Sequence, residues 1–297
     1  MTGEDKLRLT VKMPELIDLR RRIKSVRNTQ QITKAMKTVS TAKFKKAQRL
    51  LLEARPYWHN YPDFLLDFIF WAARVRHPLL AKRDEKRITG IVITSDKGLA
   101  GAFNSNLLNE ALSFFKEKAR NGEVRLVLMG KKAVTFFKKQ PFTVIRSYPD
   151  QIHKLTDEDL KDLANFLMRL YTLFQADAVY AVYNEFKSIL APRVTLTKLL
   201  PLEPPESQKN LAPDWEPEAG SLLNVMLPLY VENHIRHFFF ESSAAENAAR
   251  MMAMDNATNN AEDLVGELTL VLNKMRQASI TKELLEIMTA VEALAKK

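Results

Sequence analysis

The segment SDKGLAGAFNSNLL (95–108) has residue types nearer to a binding site than any other stretch of the chain. It follows a predicted strand and opens a predicted helix. At such a junction free backbone N–H groups and the helix dipole can converge on a phosphate. The spacing argues against it: neither Gly-x-Gly-x-x-Gly nor a Gly-Lys-Ser/Thr ending is present. The expectation is a tight strand-to-helix turn capped by Asn104 or Ser105. His234 and His237, three apart on a predicted helix, could share a metal. With five histidines, no cysteine and no evident third ligand nearby, they read instead as surface or interface histidines. No Gly-x-Ser-x-Gly elbow or His-Glu-x-x-His pair occurs. The residues thus predict no catalytic, cofactor-binding or metal site. The lack of cysteine also excludes disulfides, thiolate sites and thiol switches.

What the residues do offer is charge. The formal net charge is +10, with a sequence pI near 9.6. Much of it lies on one predicted helix, with Arg20, Arg21, Arg22, Lys24, Arg27, Lys34, Lys37, Lys43, Lys45, Lys46 and Arg49 accompanied by a single acid, Asp18. A basic balance points to an acidic partner: nucleic acid, anionic lipid or an acidic protein surface. The segment has one aromatic residue, Phe44, and so no platform for stacking bases. Its cations are spread around the helix, which suits a basic rod enclosed by acidic protein better than a nucleic-acid face.

The elements that carry these residues follow from glycine and proline. None of the eight glycines falls between Gly3 and Gly90, and only Gly266 lies beyond Gly220. Tight turns therefore belong to the middle of the chain, and both ends favour helix. Pro14 suits a first helical turn, and Pro56, Pro62 and Pro78 punctuate a second apolar piece by kinking it. Between the ends, strands are expected over 87–96, 124–130, 142–148, 178–186 and 193–202. Helices are expected over 104–122, after Lys132, and from Thr156 to Gln175 with Thr156 and Asp159 in capping-box order. Alternating strands and helices predict an α/β domain with at least part of its sheet parallel. Leu16, Leu19, Ile23 and Val26 fall in heptad order, as do Leu264, Leu268, Val271, Met275 and Ala278, then Ile280, Leu284, Ile287, Val291 and Leu294 in a shifted register. The fold class is thus α/β with a long antiparallel coiled coil of the N- and C-terminal helices. The boundaries are an extension over 1–12, read as loose, a coiled-coil helix with kinked continuation over 13–77, the α/β domain over 78–202, a Pro-rich linker over 203–220 and the second coiled-coil helix over 221–297. The apolar runs 64–75 and 221–231 are too short and too interrupted by Asp67, Arg74, Asn224 and Pro228 to span a membrane.

Three segments together carry a family resemblance: RRRIKSVRNTQQITKAMKTVSTAK near the N-terminus, SDKGLAGAFNSNL in the middle, and ESSAAENAARMMAMDNATNNAEDL followed by LNKMRQASITKELLEIMTAVEAL. They resemble the γ subunits of F-type ATP synthases, and RPYW and TLTKLLPL also match. The resemblance runs from about Met13 to Leu294. It implies a Rossmann-like middle domain and a rotor shaft that does no bond chemistry. It implies as partners three α and three β subunits, an ε subunit and a membrane ring of c subunits, with no nucleic acid and no direct membrane insertion. Carried over by position, Met36, Lys37, Arg250, Arg276, Gln277, Thr281 and Glu286 would contact β, the basic ones facing its acidic loops. The twelve residues before Met13 exceed the family's usual start. The cysteine-bearing insert of chloroplast members is absent, which favours a bacterial enzyme, peripheral on the cytoplasmic face of the plasma membrane.

Overall fold

In the computed structural model, residues 3–71, 77–152, 154–188, 192–202 and 219–295 are described, with the side chains of the two terminal helices described over 16–53 and 220–295. Helix α1 spans Gly3–Trp71. It therefore takes in residues 3–12, which the sequence sets apart as a loose extension. Nothing in the sequence between Gly3 and Pro14 breaks a helix. The same helix runs through Pro56 and Pro62. Most of the Pro-rich linker, 203–218, lies outside the described residues, as do the side chains of the RPYW segment.

Five strands form one sheet: β1 Arg87–Ile93, β2 Glu123–Met129, β3 Thr143–Tyr148, β4 Ala178–Phe186 and β5 Pro192–Leu200. Their order is β3-β2-β1-β4-β5. β1 pairs in parallel with β2 and β4, β2 with β3, and only β5 is antiparallel. The expected alternation of strands and helices thus gives a mostly parallel sheet, where the sequence predicts at least a parallel part. The intervening helices are α2 Phe103–Lys118, α3 Lys131–Phe137 and α4 Asp157–Thr172, and α5 closes the chain over Ala219–Ala295. Thr156 caps α4 as its order with Asp159 predicts, with both halves of the capping box formed. Pro228, eight residues beyond the expected linker, lies inside α5.

Strand side chains alternate between two cores, as the two-residue period requires. Ile91, Ile93, Val127, Met129, Val179 and Ala181 face one core, with Leu163, Leu167 and Tyr171 of α4 and Leu227, Val231 and Phe238 of α5. Ile88, Val92, Leu126, Leu128, Tyr180 and Val182 face the other, with Leu107, Ala111 and Phe115 of α2. Gly90 belongs to this second face. A Cβ there would stand 2.2 Å from the Phe115 ring, so glycine lets α2 approach the sheet.

The chain divides into two compact units, Val39–Met252 and Met1–Thr38 with Ala253–Lys297. The first holds the sheet. In it the two long helices meet through Phe44, Ala47 and Leu51 against Ala244, Ala245 and Ala248, with Ala100, Phe103 and Phe186. In the second, the Thr258 hydroxyl donates to Thr33 Oγ1 at 2.8 Å and Lys37 Nζ reaches Asp255 Oδ1 at 2.5 Å. Numbers rise on one helix as they fall on the other, so the pair is antiparallel. Its seam is apolar at Ile23 and polar at Thr33 and Thr258, all buried.

Candidate functional site

In a sheet of this order, ligands bind beyond the carboxyl ends of the strands where the winding reverses. Here that point lies between β1 and β4. The residues after β1 are Thr94, Ser95 and Asp96, all buried. Asp96 accepts backbone N–H bonds from Lys131, Asp150 and Ile152, each at 3.0 Å. Thr94 Oγ1 donates to the Met129 carbonyl at 3.1 Å and accepts from Ala133 N at 2.9 Å. Ser95 N donates to Asn104 Oδ1 at 3.1 Å. The N-cap of α2 is Ala102, with no side-chain cap. Asn104 and Ser105 are therefore not caps: Asn104 ties the turn back to Ser95, and Ser105 Oγ donates to the Ala102 carbonyl.

The crevice itself is filled by α5. Glu241 accepts from Phe186 N, one residue before β4 gives way to turn, at 2.8 Å. Arg250 donates to the carbonyls of Gly98 at 3.2 Å and Lys97 at 3.3 Å, and pairs with Glu246 at 2.7 Å. A cavity among Thr94, Ser242, Ser243 and Glu246 has ≈ 10 Å³, room for about one water molecule. The strand ends are thus held by this chain's own groups where a nucleotide would sit.

His234 stacks on Tyr230 with ring centroids 3.9 Å apart, and its Nδ1 lies 3.1 Å from the Tyr230 carbonyl. Burial holds its pKa down at about 4, so the ring is neutral. His237 packs edge-on to Tyr183 and Phe238. Both histidines belong to an aromatic cluster. Phe44, the single aromatic of the basic segment, is buried against Phe186 and offers no face to a base.

The residues carried over by resemblance fall in three settings. Met36 and Lys37 are half-buried on α1, with Lys37 paired to Asp255. Arg276, Gln277, Thr281 and Glu286 are exposed on α5, Glu286 with Lys282 at 3.5 Å. Arg250 differs from the expectation of a cation facing acidic loops: it is 6% exposed and its guanidinium is engaged inside the chain. Sequence reasoning missed Glu241, Glu246 and Asp96. A signal existed for one of them, since Glu246 precedes Arg250 by four residues in an alanine-rich stretch where two long charged side chains stand out. Along the last part of α5, Leu270, Ile280, Leu284, Ile287, Met288, Val291 and Leu294 are all exposed. No helix among the described residues is long and apolar enough to cross a membrane.

The chain has counterparts among known proteins. The family model described as ATP synthase matches residues 15–294. The ATP synthase gamma chain of Pelotomaculum thermopropionicum is 43% identical over 95% of this chain and 100% of its own. That of Solibacter usitatus is 44% identical over 95% and 99%. Among solved structures, a chain of the Tetrahymena thermophila mitochondrial ATP synthase central stalk and c-ring is 25% identical, with a TM-score of 0.59 over 76% of this chain and 99% of that one. A chain of the Euglena gracilis mitochondrial ATP synthase shares the fold with a TM-score of 0.64 at 18% identity, covering 95% of both. Matches of this identity and coverage leave one assignment: the chain belongs to the ATP synthase gamma chain family.

Proposed function

We propose that the chain is the central-stalk rotor of a bacterial F-type ATP synthase. In this role it couples ion flow through a c-ring to the conformational cycle of three catalytic β subunits, and does no bond chemistry itself. The observation that carries the reading is the last part of α5, whose apolar side chains stand 47% exposed at Ile280, 60% at Ile287 and 75% at Leu294. A run of exposed apolar side chains on a soluble-type chain calls for a partner. A closed ring of α and β subunits around the helix supplies one without a deep lock to any single subunit. The crevice filled by Glu241 and Arg250 supports a non-catalytic role, since no nucleotide could enter it without displacing α5.

The partners are then three α and three β subunits around the helices, with ε and the c-ring as the remaining contacts. The protein would sit peripherally on the cytoplasmic face of the plasma membrane. Met36, Lys37, Arg276, Gln277, Thr281 and Glu286 are the residues assigned to β contacts. Torque shared over many shallow contacts should make single changes there affect coupling more than nucleotide chemistry. In a reconstituted enzyme, Arg276→Ala and Gln277→Ala should each lower protons pumped per ATP hydrolysed, or weaken assembly, by about two- to tenfold, the range of a lost exposed polar contact. An unchanged ratio together with unchanged assembly would remove both residues from the interface.

A further inference from the structure

We propose that Arg250 acts inside the chain as a positioning residue, welding α5 to the carboxyl ends of the sheet so that twist passes from one to the other. This rests on the rotor reading and adds a residue-level joint to it.

Within the unit Val39–Met252, α5 meets the sheet through two kinds of contact. The first is apolar: Leu227, Val231 and Phe238 pack into the sheet core, and nearer Arg250 only Ala244, Ala245 and Ala248 lie against Ala100 and Phe103. Methyl groups of this size give close approach but little resistance to sliding, since apolar contact is non-directional. The second is polar and directional. Glu241 holds Phe186 N at the end of β4, and Arg250 holds the carbonyls of Lys97 and Gly98 beyond β1. Hydrogen bonds weaken steeply when misaligned, so these ties resist rotation of the helix where the alanines do not.

Arg250 is suited to the task. Its planar fork reaches two successive carbonyls while Glu246, one turn earlier, neutralises it, with side chains 7% and 4% exposed. The clamped loop continues into Leu99, which has φ +62° and is 61% exposed, and Gly101 at φ +55°. Backbone in this left-handed region does not hold its shape unaided when the residue is leucine. Behind the loop, Asp96 gathers three backbone N–H groups from Lys131, Asp150 and Ile152. Twist entering at α5 therefore reaches β1, β4, α3 and the segment after β3 through oriented bonds.

The Lys97–Gly98 peptide bond reports on the joint, because its carbonyl is held by Arg250 and the Lys97 side chain is exposed. Endoproteinase Lys-C would be applied to the full-length chain, with mass spectrometry of the fragment beginning at Gly98. Arg250→Ala should speed this cut by about tenfold, the effect of losing a buried hydrogen-bond donor. Arg250→Lys, which keeps the charge but not the fork, should fall between it and the unmodified chain. Should Arg250→Ala fail to fold, Arg250→Lys and Glu246→Gln are read in the same way. Unchanged protection of Lys97 in folded variants overturns the proposal.

In the reconstituted enzyme, Arg250→Lys should assemble and hydrolyse ATP while pumping fewer protons per ATP. Poor assembly with Lys97 still protected would mean direct partner contact, and would overturn the positioning role. A faster cut after Lys97 with an unchanged pumping ratio would overturn transmission through this joint while leaving the rotor reading intact. That reading fails separately, if the unmodified chain does not enter the complex.

Discussion

Glu85 lies among three donors, with Lys118 at 2.6 Å, Tyr180 at 2.7 Å and Lys198 at 3.1 Å. Burial disfavours its charge, but the hydrogen bonds from these three outweigh it and hold its pKa down at about 2. A depressed carboxylate stabilises the fold above its ordinary pKa of 4.5, and that contribution is lost as the pH falls from there to about 2. His234 works in a higher window. With its pKa lowered from 6.5 to about 4, the unfolded chain binds the extra proton, so stability is lost as the pH falls between those values. The loss is on the order of 3 kcal/mol. Denaturant midpoints measured from about pH 7 to about pH 2 should therefore fall in two stretches. His234→Phe should flatten the upper one and Glu85→Gln the lower. Parallel profiles for variant and unmodified chain would contradict the assignment. Neither environment was legible in the sequence, because the donors to Glu85 come from α2, β4 and β5, and only tertiary contact joins them. The Thr156–Asp159 capping box was legible, because both partners lie within one helical turn.

At the scale of elements the two-residue period gave a sound map of the sheet, whereas the heptad positions Ile280, Leu284, Ile287, Val291 and Leu294 are exposed instead of lying on a packed seam. The strands fall within three residues of expectation, since alternate faces meet separate cores at β1, β2 and β4. The expected cap on α2 failed for a physical reason: Asn104 finds a better partner in Ser95 across the turn than in its own helix. The helix pair shows why propensity and apolar spacing are not enough. Its seam at Thr33 and Thr258 is polar, yet both side chains are buried and satisfied, with Thr33 donating to the Gln30 carbonyl and Thr258 sharing its one proton between Thr33 Oγ1 and the Met254 carbonyl. Each hydroxyl keeps an intrahelical acceptor when the other is removed, so neither single change strands a buried group. A double-mutant cycle on Thr33→Val and Thr258→Val should therefore isolate the cross-helix bond alone. Its coupling energy in denaturant unfolding should be about 0.5–1.5 kcal/mol, the net value of a neutral hydrogen bond. Additive single changes would mean that the two threonines do not meet in solution.

The two compact units differ in what holds them. Val39–Met252 has sheet, helices and two buried cores. Met1–Thr38 with Ala253–Lys297 has two helices and, among the described residues, few buried side chains, and beyond Ala261 α5 has no buried residue at all. Local stability follows buried apolar contact, so the free chain should open there at much lower cost than in its sheet. Ligation by partners that bind only the folded helix adds stability by mass action, and the gain should appear where side chains are exposed before assembly. Hydrogen exchange thus separates two kinds of molecule. In the free chain, amides of β1 and β4 should be protected about a thousandfold or more over those between Leu270 and Leu294, as expected for global against local opening of a few kcal/mol. After reconstitution with α and β subunits, protection should rise along α5 and change little in the sheet. Equal protection of both regions in the free chain would mean that the helix pair is self-sufficient. The exposed face from Leu270 to Leu294 would then need no ring to cover it, and the rotor reading would lose the observation that carries it.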